Sequence, residues 1–123
     1  MVENPSSMES AYYSLATRLR SRRDFTAVFC ASDTLAVGTC KALQAAGVAI
    51  PDEISVVGFD DLRWTRLLTP SLTTVHQPQS SQGETAMRML MRQIEGERLE
   101  SKVLTPRLVV RDSTGPAPGC SGG

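Results

Sequence analysis

Two short apolar runs, at residues 26–31 and 54–59, are the feature of this sequence that most constrains its fold. Runs of this length and β-branched content, without alternation of polar and apolar side chains, are typical of strands buried on both faces of a parallel sheet. The segment between them has apolar side chains at helical spacing, with Ser32 or Asp33 as a capping residue at its start and Gly47 at its end. A strand, a helix and a second strand in this order predict two parallel strands joined by a helical crossover.

Further segments extend this alternation along the chain. Helices are predicted at residues 8–23, 61–68 and 83–95, and extended segments at residues 72–75 and 107–111. The whole pattern predicts an α/β fold with a largely parallel sheet flanked by helices. Ligands of such sheets bind beyond the carboxyl ends of the strands, which is where the polar pairs Ser32–Asp33 and Asp60–Asp61 fall.

The charge balance and the cysteines argue against several classes of protein. The 13 basic and 13 acidic side chains cancel, and the arginines at residues 18–23 are interpreted as a solvated helix end, so no surface for DNA phosphates is indicated. The three cysteines form no CxxC pair and have no histidine nearby, which argues against a disulfide framework or a zinc site and for the reducing cytoplasm. No apolar run approaches the roughly 18–20 residues of a membrane helix. We therefore expect a cytoplasmic protein without metal, cofactor or membrane segment.

Motifs of common enzyme classes are missing from the sequence. None of GxSxG, HExxH or GxxxxGK[ST] occurs, so a binding module is favoured over an enzyme. Asp60 and Asp61 are poorly placed to act as a carboxylate pair, because adjacent residues of an extended chain point apart. His76, the single histidine, has no carboxylate or cysteine partner in the sequence and is interpreted as an ordinary polar surface group. A purely structural dimerisation fragment is the third class that stays open.

Four sequence phrases together carry a family resemblance. They are ASDTLAVG at residues 31–38, GVAIPDEISVVGFDD at 47–61, PSLTTVHQP at 70–78 and LVVRDST at 108–114. In this order and at these separations they resemble the effector-binding region of the lactose/galactose-repressor (LacI/GalR) family of bacterial transcriptional regulators, over roughly residues 25–114. Sugar-binding proteins of transport systems share the fold, and a fragment of such a protein is the alternative. They do not usually carry ISVVGFDD and LTTV together, which favours the repressor family.

The resemblance implies a two-lobed domain of the type I periplasmic-binding-protein-like fold, which closes about a hinge on a small effector. Residues 8–76 would form its C-terminal lobe, 77–106 a segment that crosses to the first lobe in relatives, and 107–114 the final strand. Residues 1–7 are predicted to be disordered or introduced by cloning, and residues 115–123 to be a disordered tail. Intact relatives bind operator DNA through an N-terminal helix-turn-helix, which we do not find in this sequence. Operator DNA is thus expected as a partner only through such a domain.

The same resemblance implies a set of ligand-binding residues for a sugar or a nucleobase-like effector. Asp60 matches an aspartate that bonds ligand hydroxyls in relatives, although it could instead cap the helix that follows it. Gln77 matches a polar residue at a chain crossover between the lobes. Ser32 stands where many relatives have a ligand-binding asparagine, and helix capping is an equally open interpretation. Gln79 and Gln82 fall where some relatives place apolar cleft residues, which predicts a more polar pocket.

Two apolar surfaces are expected from the resemblance. Relatives dimerise through the helix after Asp33 and the segment around Trp64, so five residues are candidates for a homodimer interface, with core packing as the alternative: Val37, Lys41, Trp64, Leu67 and Leu68. The predicted helix at residues 83–95 carries an apolar stripe that faces the first lobe in relatives. Without that lobe we expect the chain to fold poorly, rearrange or dimerise through the stripe.

Overall fold

The structure, a computed structural model, describes residues 6–119. In chain order the elements are helix α1 (Met8–Ser21), strand β1 (Ala27–Phe29), helix α2 (Asp33–Ala45), strand β2 (Ser55–Asp60), a 3₁₀ helix (Arg63–Leu67), strand β3 (Thr73–His76), helix α3 (Gln79–Ile94) and strand β4 (Arg107–Val109). The predicted alternation of helices and strands is therefore confirmed. The main differences in bounds are that α3 begins four residues earlier than predicted and that the last extended segment is short.

The four strands form one sheet in the order β1-β2-β3-β4. β1, β2 and β3 run parallel, and β4 is antiparallel to β3. The prediction of a largely parallel α/β sheet is confirmed. Because β2 and β3 are parallel neighbours, their carboxyl ends meet at one edge, where Asp60 pairs in register with His76.

The hydrophobic core lies between α2 and one face of the sheet. Its buried side chains are Cys30, Ala36, Cys40, Leu43, Val48, Ile54, Val56 and Leu72. α1 packs on α2, and a Cβ added at Gly38 would overlap the carbonyl oxygen of Met8 and lie 3.0 Å from Ala11 Cβ. The glycine therefore allows the two helices to approach closely.

The opposite face of the sheet is largely open, which corrects the prediction for residues 26–31. That run was expected to be buried on both faces, but β1 spans only Ala27–Phe29 and Phe29 is 66% exposed. β1 is an edge strand, and the core covers only the face that Val56 presents. On the open face, the rings of Phe29 and Phe59 meet edge to face with centroids 6.5 Å apart.

The apolar stripe of α3 is exposed. No residue of the helix is buried, and Met87, Leu90, Met91 and Ile94 are all exposed large hydrophobic side chains. The amphipathic pattern predicted the helix correctly, because periodicity depends only on the residues of the helix itself. The same periodicity does not predict which surface the stripe packs against.

The segment after β4 is held by both side-chain and backbone hydrogen bonds, although it is no longer strand. Residues 107–114 were predicted to be the final strand, but β4 ends at Val109. Beyond it the Arg111 amide donates to Thr73 Oγ1 (2.9 Å) and the buried Ser113 hydroxyl donates to the Val56 carbonyl (2.6 Å). Gly115, predicted as the first residue of the tail, exchanges hydrogen bonds with Ser55.

The two segments that the sequence predicts to be disordered lie partly outside the described residues. Residues 1–5 and 120–123, which belong to these two segments, are not described, and Cys120 is among them.

The cysteines of the described part are buried. Cys30 and Cys40 are free thiols, and burial raises the pKa of Cys40 to about 11. Among residues 6–119, no helix is both long and apolar enough to span a membrane, and no group of three or more His, Cys, Asp or Glu side chains is placed to hold a metal ion.

Candidate functional site

A cleft of about 440 Å³ opens beyond the carboxyl ends of β2 and β3. It is lined by the turn after β2 and by the segment that joins β3 to α3. Three of the five predicted ligand-binding residues, Asp60, Gln77 and Gln79, line it. The position agrees with the rule that ligands of parallel sheets bind at the carboxyl ends of the strands.

Asp60 and Gln77 form a hydrogen-bonded polar pair in this cleft. Gln77 Nε2 donates a hydrogen bond to Asp60 Oδ1 at 2.8 Å. Since a carboxylate oxygen is an acceptor only, the amide must present its nitrogen to Asp60, and no donor within residues 6–119 contacts its carbonyl oxygen. Among the described residues, no donor contacts the second carboxylate oxygen of Asp60. The pair therefore offers two acceptors to a bound molecule.

The backbone around Asp60 is held in an unusual conformation. Asp60 has φ 116° and Asp61 has φ 57°, in a region that residues other than glycine seldom adopt, at a cost on the order of 1–3 kcal/mol each. Two hydrogen bonds fix the turn: the Leu62 amide donates to Asp33 Oδ2 (2.7 Å), and the Asp61 amide donates to Thr74 Oγ1 (3.4 Å). The conformation of this turn determines the orientation of the Asp60 side chain at the end of the strand.

Asp33 supports the turn from below. It is completely buried, and its other oxygen, Oδ1, accepts a hydrogen bond from Thr74 Oγ1 at 2.6 Å. Both carboxylate oxygens are thus used inside the protein. Of the two candidates for the helix cap, Ser32 and Asp33, it is Ser32 whose Oγ accepts from the Leu35 amide at 3.3 Å. Asp33 is instead a buried bridge between the start of α2, β3 and the turn after β2.

Asp61 is bound from two sides, which the sequence did not predict. Its side chain is 4% exposed, and its two oxygens contact Arg111 Nη2 and, at 3.0 Å, His76 Nδ1. Arg111, 12% exposed, also donates from Nη1 to Thr65 Oγ1 (3.0 Å) and to the Leu72 carbonyl (2.8 Å). Burial raises the pKa of the Asp61 carboxyl group, but the hydrogen bonds and charges of Arg111 and His76 outweigh burial and lower it below its ordinary value. Asp61 is therefore ionised at neutral pH.

His76 is correspondingly different from its predicted role. It was interpreted as a surface group without a carboxylate partner, but it contacts Asp61 and lines the cleft. The interpretation was wrong because β2 and β3 bring the two residues together across the sheet. That pairing cannot be derived from the residues near His76 in the sequence. Arg63, Ser80 and Ser81 also line the cleft without having been predicted.

Two predicted ligand-binding residues do not line the cleft. Ser32 caps α2, so its hydroxyl oxygen is engaged with the backbone of the helix. Gln82 lies one turn further along α3 and lines a separate hollow with Met89 and Leu104. The side chains of a helix spread around its axis, so only the first turn of α3 reaches the cleft.

Four of the five predicted interface residues lie together on the surface. Val37, Lys41, Leu67 and Leu68 line a hollow of about 330 Å³ between α2 and the end of the 3₁₀ helix, which we call the Leu67 hollow. Leu67 is 84% exposed. Trp64, the fifth residue, is partly exposed but is not part of the lining.

Comparison with known proteins gives a consistent result. Residues 2–114 match the model of the family described as periplasmic binding protein-like domain. The HTH-type transcriptional repressor PurR of Salmonella typhi is 42% identical over 112 residues, which cover 89% of this chain and 33% of the repressor. The chain thus spans about a third of the length of the curated repressors that it matches.

Solved structures of regulators share the fold. A LacI family transcriptional regulator from Enterococcus faecium with bound ribose superposes with a TM-score of 0.80 at 32% identity, over 91% of this chain and 41% of that chain. The lac repressor dimer bound to operator and an anti-inducer superposes with a TM-score of 0.84 at 29% identity, over 88% of this chain and 38% of that chain.

Proposed function

The chain belongs to the periplasmic-binding-protein-like domain family and is related to the regulators of the LacI family, and we propose that it forms the effector-binding portion of a transcriptional repressor of that kind. In this role it recognises a small molecule and does not transform it. The relatives are named as repressors, not as enzymes. Such a regulator would act in the cytoplasm.

The observation that carries the proposal is the Asp60–Gln77 pair in the cleft. Gln77 donates to one oxygen of Asp60 at 2.8 Å, and in the described part of the chain no donor contacts the other oxygen of this cleft residue. Hydrogen bonds to a charged acceptor are worth about 1.5–3 kcal/mol, roughly twice a neutral one. The strained turn at Asp60 adds to the argument, because backbone strain of this kind clusters at ligand-binding sites.

The chemistry of the lining supports an effector that is rich in hydrogen-bond donors. Asp60 and Gln77 present acceptors, while Gln79, Ser80 and Ser81 provide groups that can donate or accept. Sugar hydroxyls and the N–H groups of nucleobases both fit this pattern. The bound ribose of the Enterococcus faecium regulator is an example of the first class in a relative.

Two macromolecular partners follow from the same proposal. A second copy of the chain would bind at the Leu67 hollow, where an exposed leucine is flanked by Val37, Leu68 and the stem of Lys41. Operator DNA would be bound by a helix-turn-helix outside these 123 residues, since the chain has no net positive charge for the DNA backbone.

Ligand-dependent stabilisation of the protein tests the proposal. Ribose, galactose, adenine, guanine and hypoxanthine are added separately, and the melting temperature and the binding heat are measured. At least one compound should raise the melting temperature of the wild-type chain. Asp60→Asn should weaken its binding by roughly 10- to 100-fold, because the substitution removes the charge and keeps the size. The exposed Asp52→Asn is the matched control and should bind like the wild type. A panel without any stabilising compound would contradict the proposal.

A further inference from the structure

The effector-binding proposal makes no use of His76, although its ring lines the cleft. Its side chain is 35% exposed, and Nδ1 lies 3.0 Å from Asp61 Oδ2. Among residues 6–119, no group forms a hydrogen bond with the other ring nitrogen, Nε2. His76 is the only histidine of the chain, so its state can be followed without interference from another imidazole.

The Asp61 carboxylate determines where the imidazole carries its proton. Arg111, which stays protonated in proteins, binds one carboxylate oxygen, and His76 contacts the other. An ionised carboxylate accepts hydrogen bonds and donates none. Nδ1 of His76 must therefore be the donor in this contact, and in the neutral ring Nε2 is left as an unprotonated acceptor.

This acceptor lies beside the proposed ligand-binding carboxylate. Asp60 and His76 are register partners on the neighbouring parallel strands β2 and β3, and both line the cleft. We propose that His76 is a specificity-determining residue, whose Nε2 accepts a hydrogen bond from the effector next to the one that Asp60 accepts. The cleft then selects molecules with two adjacent donor hydrogens, such as the vicinal hydroxyls of a sugar or neighbouring N–H groups of a nucleobase. This inference rests on the proposed function.

Protonation of His76 reverses the role of Nε2, because the ring then carries a proton on both nitrogens. The charged groups around it are the Asp61–Arg111 pair, Asp60 at the end of β2, Arg63 in the 3₁₀ helix, which also lines the cleft, and Arg107, its register partner on β4. A nucleobase N–H group that meets this ring N–H loses its acceptor, whereas a sugar hydroxyl can accept from it as well as donate.

The tautomer can be tested without any ligand. In a long-range hydrogen–nitrogen correlation spectrum of the ¹⁵N-labelled chain at pH 8, Nδ1 should give the shift of a protonated nitrogen and Nε2 that of an unprotonated one. Asp61→Asn should weaken this preference, because an amide can also donate. Arg111→Lys, which keeps a positive charge near Asp61, should preserve it. A wild-type ring with the proton on Nε2 would overturn the inference.

The contact with the effector is tested by two variants and the panel of sugars and nucleobases named above. His76→Asn keeps a donor for Asp61 and removes the acceptor at Nε2, so binding should weaken by about 2- to 12-fold, the range for one neutral hydrogen bond. His76→Gln reaches the same place with a carbonyl oxygen, so it should retain more of the affinity than His76→Asn. The melting temperatures without ligand show whether each variant is folded.

The possible results separate this inference from the proposed function. If a compound binds and moves the Nε2 shift of the wild type, and His76→Asn binds more weakly, the inference is supported. A compound that binds without moving Nε2, and equally well to His76→Asn, overturns the contact and leaves the effector site intact. If no sugar or nucleobase of the panel binds to the wild type, the proposed function and the contact fail together.

Discussion

Gly58 and the buried Asp33 carboxylate are in direct contact, and only the absence of a side chain at position 58 makes room for it. A Cβ added there would overlap Asp33 Oδ1 and lie 2.9 Å from Leu72 Cδ2. Asp33 cannot simply move away, because Thr74 Oγ1 and the Leu62 amide both bind it. The glycine of the ISVVGFDD phrase thus belongs to the support of the candidate site.

Gly58→Ala should therefore destabilise the protein. We expect the free energy of unfolding to decrease by about 2–3 kcal/mol, within the range for overpacked cores, since neither neighbouring atom can move cheaply. Urea unfolding at neutral pH measures this change. An alanine variant as stable as the wild type would show that the carboxylate can be accommodated elsewhere.

Gly38→Ala should also be destabilising, for a different reason. The added methyl group would meet the backbone of α1 at Met8, so the two helices would have to separate. Alanine gains about 1 kcal/mol over glycine in helix propensity, which offsets part of the loss. We expect a net decrease of about 1–2 kcal/mol in the free energy of unfolding, measured with urea. Gly83→Ala is the matched control: beyond its chain neighbours and the backbone of its own helix, nothing in the described part lies within 4 Å of the added Cβ, so only the gain should remain.

The Asp61–Arg111 pair should make stability depend on pH. The pKa of Asp61 is lower in the folded protein than its ordinary value, so its stabilising contribution is fully present above about pH 4 and is lost as the pH decreases through the folded-state pKa. The difference in unfolding free energy between wild type and Asp61→Asn should be largest near pH 7 and should shrink below about pH 4. Urea titrations from pH 7 to pH 3 measure it, and a difference that stays constant over this range would contradict the assignment.

Removal of the arginine should be more severe than removal of the carboxylate. Arg111→Met leaves Asp61 buried and ionised without its main partner, which typically costs about 3–5 kcal/mol. Adding Asp61→Asn to Arg111→Met should recover part of that loss, because the unpaired charge is then gone. A double variant that is less stable than Arg111→Met alone would argue that the two side chains do not act as a pair.

Association through the Leu67 hollow can be distinguished from association through α3. Leu67→Glu places a charge at an apolar residue of the hollow that is 84% exposed, so it should convert a dimer into a monomer in sedimentation velocity experiments. Met91→Glu places the same charge on the exposed stripe of α3 and should leave the dimer unchanged. Dissociation by Met91→Glu alone would place the interface on α3 instead.

The sequence by itself determined the order and type of the elements and the position of Asp60 at the end of a strand. These features depend on periodicity and turn residues within a few positions along the chain, so they can be derived without long-range contacts. The site at the carboxyl ends of β2 and β3 followed from the parallel arrangement, and Gln77 and Gln79 line the cleft with Asp60. Whether they bind a ligand stays a prediction.

Only the tertiary structure decided which polar groups are already engaged inside the protein. Asp61 meets Arg111 fifty residues later in the sequence, and Asp33 meets Thr74 forty-one residues later. Such contacts depend on the register of β2, β3 and the chain after β4. Local sequence patterns carry no information about that register. For the same reason Ser32 and Gln82, which were predicted to bind the ligand, do not line the cleft, whereas His76, which was not predicted, does. The sheet face at Phe29 is open because the burial of a strand depends on what packs against it, not on its own apolar residues.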